Sequence, residues 1–190
     1  MTFKSLIKKI FPTNRKLLIK SSLSRLKLNN YNNILVVGAG NDPYRNFFGD
    51  PKSYVCLDII EYKGVTDVIG DAMKLPFDEN SFDCVFSSEV FEHLNSPKNF
   101  LKEAYRVLIP NGTLVFSVPF IFHIHSDPHD YWRPTKQVLS FLLKDFSHVQ
   151  IISQGNRLHS ILDLISTSSN SIPLFFPLRI INHLVSKFTF

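Results

Sequence analysis

Five short apolar runs constrain the fold of this chain more than any other feature of its sequence. The runs are short and predominantly apolar, and glycine, proline, acidic residues or amphipathic stretches separate them. This pattern is typical of strands buried on both faces, as in a parallel sheet. The predicted strands are Ile34–Val37, Tyr54–Leu57, Val65–Ile69, Phe82–Phe86 and Thr113–Val118.

Segments with helical periodicity lie between and after these runs. The clearest is SPKNFLKEAYRVLIPNG, in which apolar residues recur on one face and Asn111-Gly112 is predicted to end the helix. Further along, the pattern predicts a helix over 135–144, a strand over 149–153 and a helix from Leu158. Alternating strands and helices predict an α/β fold, a twisted parallel sheet covered by helices on both faces. Its ligand site is then expected at the carboxyl ends of the strands.

Positive charge is concentrated at the start of the chain. Residues 1–30 carry eight Lys or Arg and no acid, and the net charge of the whole chain is +5, so the other 160 residues sum to −3. Residues 2–11 form an amphipathic pattern ending at Pro12, and a second basic helical stretch covers 14–28. We interpret residues 2–28 and the apolar tail at 172–188 as candidates for peripheral contact with a membrane surface. Because the core is net acidic, nucleic acid is not expected as a partner.

Length and composition indicate a globular domain with appendages. The 190 residues are 44% hydrophobic, and the sequence shows neither a secretory signal nor an apolar run long enough to cross a membrane. Cys56 and Cys84 fall inside predicted strands, so we expect buried free thiols and a cytoplasmic location. The predicted organisation is a basic helical arm (1–30), a ligand-binding domain (31–155) and a C-terminal helical tail (156–190).

A glycine turn follows the first predicted strand, in ILVVGAGNDPY. Gly38 and Gly40 could pass close to dinucleotide phosphates, to the sugar and amino-acid part of a sulfonium cofactor, or simply form a tight corner. A dinucleotide site requires a third glycine, which is missing here, and the charge of Asp42 would repel phosphate. The turn therefore argues against a pyrophosphate ligand.

Acidic residues follow the next two predicted strands. Asp58 lies 18 positions after Gly40, a spacing that suits a carboxylate accepting hydrogen bonds from ribose hydroxyls. Asp71 follows the third strand, where its side chain could accept from an exocyclic amine while Ala72 or Met73 contacts a ring nitrogen. Asp83 lies at the start of the fourth strand, at the opposite edge of the sheet, so we assign it to capping or a structural hydrogen bond.

The segment SSEVFEHL follows the fourth strand and lies where a reaction centre is expected. It contains Ser88, Glu89 and His93. Glu89 and His93 are four residues apart, which predicts that they share one face of a helix.

Four motifs in this order resemble the class I S-adenosylmethionine-dependent methyltransferases of the type-11 group. They are ILVVGAGND, VCLDI, GDAMKLPFDENSFDCVFSSEVFEHL and EAYRVLIPNGTLVFSVP, spanning about residues 34–120. The resemblance implies a seven-stranded Rossmann-like sheet that binds S-adenosylmethionine. The family usually has an acid two positions before the first glycine, where this chain has Val36. The residues that the resemblance places around the cofactor are Gly38, Ala39, Gly40, Asp58, Ile59, Asp71, Ala72, Met73, Ser88, Glu89 and His93.

The loop FIFHIHSDPHDYWRPT follows the fifth strand and concentrates His, Asp and aromatic residues. Its irregular His and Asp spacing does not suit a zinc site, so no metal is expected. The alternatives are a self-capped loop with Trp132 packed on the sheet edge, or a wall that binds the methyl acceptor. The loop resembles one found in methyltransferases of bacterial surface-polysaccharide pathways. On that interpretation the catalytic candidates are His125 and His129 as bases, Asp130 as orienting residue and Arg133 for acceptor binding.

The resulting functional hypothesis is methyl transfer from S-adenosylmethionine to an oxygen of a small molecule, sugar, polysaccharide or lipid-linked glycan precursor. Two alternatives remain at this point. A nucleotide-binding oxidoreductase would need the missing third glycine, and an inactive S-adenosylmethionine-binding module is suggested by Val36.

Overall fold

A parallel five-stranded sheet forms the centre of the protein. The computed structural model describes residues 13–126 and 128–168, so the predicted helix over 2–11, the tail at 172–188 and Asp127 lie outside the described residues. The strand order is β3-β2-β1-β4-β5, and all four pairings are parallel. The strands are β1 (Asn33–Val37), β2 (Ser53–Asp58), β3 (Val68–Ile69), β4 (Phe82–Ser88) and β5 (Leu108–Ser117).

Four α-helices accompany these strands in the described part of the chain. They are α1 (Asn14–Leu23), α2 (Pro97–Val107), α3 (Lys136–Leu142) and α4 (Arg157–Ser168). The predicted Rossmann-like α/β architecture is thereby confirmed. Where the family resemblance implies seven strands, residues 13–126 and 128–168 contain five.

Strand β1 is buried on both faces, as its unbroken apolar run predicts. Leu35 and Val37 belong to the main core, which also contains the buried face of α2. Side chains alternate along a strand, so Val36 points to the opposite face. There the aromatic ring of Phe86, the register partner of Val36, packs against the rings of Tyr44 and Phe48 at centroid distances of 5.9 and 5.2 Å. Strand β1 is thus packed on both of its faces.

Helix α2 forms where its periodicity predicts, but it ends differently. Phe100, Leu101, Ala104 and Val107 are buried, and β5 begins at the next residue, Leu108. The prediction that Asn111-Gly112 closes the helix is therefore wrong. Leu108 pairs with Phe82 and Thr113 with Cys84, so the intervening residues bulge out of β5. Asn111, with φ +66°, adopts the left-handed conformation that this bulge requires.

Two predicted strands change in extent. The third is shortened to Val68–Ile69, because the Val65 and Thr66 amides both donate to Tyr62 O and form a turn instead. Residues 149–153 form no strand, and Val149 and Ile152 are largely exposed, so no sheet neighbour buries their apolar side chains. That prediction is wrong. The second basic stretch is helical over Asn14–Leu23 and does not continue to residue 28.

The chain divides into two compact units. Within the described residues, one comprises 27–120 and 124–151 with the sheet, and the other comprises 13–26, 121–123 and 152–168. In the smaller unit, buried polar groups join α1 to α4. Asn14 Nδ2 donates to His159 O (2.8 Å) and the Arg15 amide to Asp163 Oδ1 (3.0 Å). No helix of the described ranges is long and apolar enough to cross a membrane.

Candidate active site

A glycine turn lies at the carboxyl end of β1. Gly38 and Gly40 have φ of +69° and +54°, a conformation that side chains disfavour. The Gly38 and Ala39 amides both donate to Leu57 O, at 2.8 and 3.2 Å, which fastens the turn to β2. A Cβ atom on Gly40 would meet no atom within 4 Å, so space lies open beside this residue. The turn can therefore approach a ligand closely.

Asp58 ends β2 beside this turn. Its Oδ2 accepts from the Gly40 amide at 2.8 Å, and its Oδ1 accepts from the Ile60 amide at 3.1 Å. Each oxygen retains a lone pair, so the carboxylate, held by two backbone donors, can still accept from the hydroxyls of a ribose.

Apolar side chains and Asp71 flank the ends of β2 and β3. Ile59 and Ile69 are 71% and 63% exposed, which is unusual for isoleucine and suits contact with a flat aromatic ring. Asp71 Oδ1 accepts from the Met73 amide at 2.8 Å, and the side chain of Ala72, between them in sequence, is buried. This edge combines an apolar surface with an acidic acceptor, as an adenine would require.

The end of β4 carries a chain of polar side chains. The hydroxyl oxygens of Ser88 and Ser117 lie 2.9 Å apart, and the Ser117 hydroxyl donates to Glu89 Oε1 at 3.1 Å. Glu89 has φ +59°, so it precedes the short 3₁₀ helix Phe91–His93 without belonging to it. The prediction that Glu89 and His93 share a helix face is therefore wrong, because the backbone reverses its handedness between them.

The loop after β5 is fastened to this 3₁₀ helix. The Tyr131 and Trp132 amides both donate to Glu92 O, at 2.8 and 3.3 Å. Trp132 Nε1 donates to Leu94 O at 2.8 Å, and its ring packs against the main core. The loop therefore lies at the carboxyl ends of the strands, on the same edge as the glycine turn.

Within the loop, His125, Asp130 and Arg133 form one cluster. Arg133 donates to both carboxylate oxygens of Asp130, at 2.6 and 2.7 Å, and Asp130 Oδ2 lies 3.2 Å from His125 Nδ1. The Arg133 guanidinium holds the pKa of the Asp130 carboxyl well below its usual range. His129 lies apart from this cluster. Its ring is exposed, with Nδ1 3.1 Å from the Tyr131 hydroxyl.

Glu92 also belongs to the site, although no sequence pattern singled it out. This carboxylate is 0% exposed, and its Oε1 lies 3.7 Å from His93 Nε2 and 3.9 Å from His125 Nε2. The only available signal was its place beside His93 in FEHL, which does not distinguish it from Glu89. Asp83, in contrast, accepts from the Asn32 and Asn33 amides at 2.9 and 3.0 Å, a structural role as expected.

Residues 35–116 match the family model described as a methyltransferase domain. The match covers β2, β3 and β4 completely, parts of β1 and β5, and every predicted cofactor residue. Residues 35–116 are thus similar to a methyltransferase domain. The cofactor that this similarity implies is S-adenosylmethionine, as predicted.

Known proteins agree with this assignment. The chain is 30% identical over 118 residues to malonyl-[acyl-carrier protein] O-methyltransferase from Marinomonas sp. (strain MWYL1), covering 54% of this chain and 44% of that protein. The chain thus spans less than half of this curated relative.

Solved structures share the fold of this chain. A candidate methyltransferase from Bacillus halodurans has a TM-score of 0.55 at 24% identity, covering 67% of each chain. An S-adenosylmethionine-dependent methyltransferase from Mesorhizobium loti has a TM-score of 0.57 at 15% identity, covering 84% of this chain and 91% of that one. At such identities the likeness concerns the fold.

The residues present fit the cofactor. Asp58 offers the ribose an anchored acceptor, Gly40 leaves open space, and Ile59 offers an apolar surface. Val36, found where the family usually has an acid, is 3% exposed and lies in register between Cys56 and Phe86. A carboxylate there would be buried among apolar groups, so this chain replaces it by a core residue.

Proposed function

We propose that this protein transfers a methyl group from S-adenosylmethionine to an oxygen of a sugar, polysaccharide or lipid-linked glycan precursor. The observation that carries the proposal is the attachment of the His- and Asp-rich loop to Glu92 O, a few residues beyond β4. Because β4 pairs with β1, this loop and the glycine turn share one edge of the sheet. Acceptor and methyl donor can then meet there.

The cofactor residues have distinct tasks in this proposal. Gly38, Ala39 and Gly40 lie beneath the methionine and ribose, and Asp58 accepts from the ribose hydroxyls. The adenine lies among Ile59, Asp71, Ala72 and Met73, while Ser88, Glu89 and His93 line the methionine side. When bound, S-adenosylmethionine supplies a methyl group activated by its sulfonium charge.

The loop residues handle the acceptor. An alcohol oxygen attacks well only as it loses its proton, so the oxygen–methyl bond forms and the sulfur–methyl bond breaks while the proton passes to a base. His125 and His129 are the candidate bases, and Asp130 orients His125 through the 3.2 Å contact to Nδ1. Arg133 binds an anionic or hydroxyl group of the acceptor. Alignment of these groups supplies much of the rate acceleration.

A glycan acceptor is supported by the chemistry of the exposed loop surface. Tyr131 is 47% exposed and stands beside the exposed His129, which together offer an aromatic face and a polar edge to a sugar ring. An oxygen acceptor is further supported by the Marinomonas relative, which is an O-methyltransferase by name.

The test begins with calorimetric titration of the full chain with S-adenosylhomocysteine, for which we expect micromolar affinity. Methyl-labelled S-adenosylmethionine is then offered with lipid-linked and free oligosaccharides, and the products are analysed for O-methyl sugars. His125→Ala and His129→Ala are each expected to leave S-adenosylhomocysteine affinity unchanged, and turnover should fall in the variant that lacks the base. The exposed His148→Asn is the matched control.

Three outcomes would contradict the proposal. A folded protein that binds no S-adenosylhomocysteine has no cofactor site of this kind. Normal affinity without turnover on any oxygen acceptor would favour the inactive binding module, the alternative that Val36 suggests. Methylation of nitrogen or carbon alone would retain the enzyme class and overturn the acceptor.

We further propose a cytoplasmic protein that contacts the inner face of the membrane peripherally. The support is the eight basic residues within 1–30, which suit an anionic lipid surface and would bring the enzyme to a lipid-linked acceptor. Cosedimentation of the full chain with phosphatidylglycerol vesicles tests this. We expect the unaltered chain to bind phosphatidylglycerol vesicles but not phosphatidylcholine vesicles, and the double variant Lys8→Gln/Lys9→Gln to lose the binding. Equal recovery of protein with the vesicles in these three experiments would contradict the membrane contact.

A further inference from the structure

Three side chains of metal-ligating type converge beside the loop. Glu92 and His93 belong to the 3₁₀ helix after β4, and His125 belongs to the loop after β5. One ligand atom from each side chain lies within 4.8 Å of the other two. Glu92 is fully buried and the histidines are partly exposed, so the group is accessible from its histidine side.

The separations between the ligand atoms are somewhat larger than those around a bound ion. Glu92 Oε1 lies 3.7 Å from His93 Nε2 and 3.9 Å from His125 Nε2. Both distances exceed hydrogen-bond range. In a tetrahedral zinc site, metal–ligand distances of about 2.0–2.2 Å place neighbouring ligand atoms about 3.4 Å apart. The two distances from Glu92 Oε1 exceed this value by a few tenths of an ångström, and the two histidine nitrogens, within 4.8 Å of each other, would approach through side-chain rotation to enclose a cation.

The opposite ring nitrogens of both histidines face oxygen acceptors. His93 Nδ1 donates to His129 O at 2.6 Å, because a carbonyl can only accept. His125 Nδ1 lies 3.2 Å from Asp130 Oδ2, closer than the 3.5 Å to Arg133 Nη2. A proton on each Nδ1 leaves a lone pair on each Nε2, the atom that faces Glu92. Backbone carbonyls and carboxylates fix metal-binding histidines in this way in known sites.

The charges also suit a cation. Glu92 brings a negative charge to the cluster, and the nearby guanidinium of Arg133 is matched by its two hydrogen bonds to Asp130. A divalent ion would therefore enter a site that already contains a buried carboxylate and two imidazoles. Such a donor set favours zinc or a similar transition metal over magnesium or calcium.

We propose that Glu92, His93 and His125 bind one divalent transition-metal ion of the zinc type, with at least one coordination position left for water or another ligand. The proposal departs from the expectation that the loop holds no metal, which considered the loop's own spacing, whereas two of these ligands lie outside the loop. It makes His125 a ligand and leaves His129 as the candidate base. Metal binding itself does not depend on the proposed methyl transfer.

The experiment uses the full chain, stripped with a chelator and dialysed against zinc, with bound metal measured by elemental analysis. Cobalt(II) is added separately, since its visible absorption reports nitrogen and oxygen coordination. We expect one ion per chain. Glu92→Gln and His93→Ala should each lower zinc affinity by about 100-fold or more, and Asp130→Asn by about 10-fold or more. His148→Asn, which alters an exposed histidine outside the cluster, should bind as the unaltered protein does.

Two results would overturn the proposal: a stripped and folded protein that takes up no zinc, or variants that bind it as the unaltered protein does. Circular dichroism and thermal melting of each variant separate a lost ligand from a lost fold. The partly exposed His93→Ala retains this test if the buried Glu92→Gln fails to fold. Because zinc is measured without turnover, its failure is distinguishable from failure of the proposed enzymatic reaction.

Discussion

Gly38 lies so close to Val90 that a Cβ atom on Gly38 would stand 2.2 Å from Val90 Cγ2. The turn after β1 and the segment after β4 thus touch at a glycine that also has positive φ. Gly38→Ala should lower the free energy of unfolding by about 2–5 kcal/mol, from backbone strain and overpacking together. Urea denaturation of the purified variant measures this change.

Gly40→Ala is the matched control for Gly38→Ala. Its φ is also positive, but no atom lies within 4 Å of the added Cβ, so only the strain of about 1–3 kcal/mol remains. Adding Val90→Ala to Gly38→Ala should recover part of the loss, because it removes the atoms that clash. Equal stability of the two glycine variants would contradict the close contact.

Asp58 and Asp83 provide a pair of acids with different roles. Asp58→Ala should weaken S-adenosylhomocysteine binding by about 10-fold or more, because charged hydrogen bonds contribute about 1.5–3 kcal/mol each. Asp83→Ala removes the acceptor for the Asn32 and Asn33 amides, which should lower stability while leaving the affinity unchanged. Calorimetry on both folded variants is the measurement. If Asp83→Ala alone weakened binding, the ligand would lie at the other edge of the sheet.

Arg106 joins the end of α2 to the segment before β4. It donates to Phe77 O at 2.7 Å and Leu75 O at 3.0 Å, and its hydrogen bonds to Glu103 lower the pKa of that carboxyl below 4.5. Arg106→Lys should lower the free energy of unfolding by about 1–3 kcal/mol, since lysine cannot make this set of bonds at once.

The Glu103 shift also predicts a pH dependence. Because its folded pKa is lowered, the stabilisation is present at neutral pH and is lost as the pH falls below about 4.5 through the folded pKa. Urea midpoints between pH 3 and 7 should therefore fall less steeply in Arg106→Lys than in the unaltered protein. Parallel curves would show that the Arg106–Glu103 pair contributes nothing to acid stability.

Cys56 and Cys84 should be unreactive while the protein is folded. Both are buried free thiols, and burial raises the pKa of each to about 12. Since the thiolate is the reactive form, a disulfide reagent at pH 8 should titrate both only after denaturation. Because burial raises the pKa of each thiol above its value in the unfolded chain, the free energy of unfolding should fall as the pH rises from about 9 to about 12. Rapid labelling of the native protein at pH 8 would contradict the burial.

The sequence predicted the elements whose burial is local. The structure contains strands at the apolar runs of β1, β2 and β4 and a helix at the periodic face of α2. The spacing of apolar residues within each of these segments indicates which side is buried. Prediction from the sequence was wrong where hydrogen bonds to other segments determine the conformation. The Asn111-Gly112 pair forms a bulge in β5, since pairing resumes at Thr113 opposite Cys84.

The sequence by itself determined the domain type and the order of its strand ends, and so the cofactor's candidate partners Gly40 and Asp58. These two residues meet because neighbouring parallel strands end at the same edge. Only the tertiary structure decided the cluster of Glu92, His93 and His125. His125 reaches the other two because the loop's amides bind Glu92 O, a contact between segments more than thirty residues apart that leaves no periodic signal in either one.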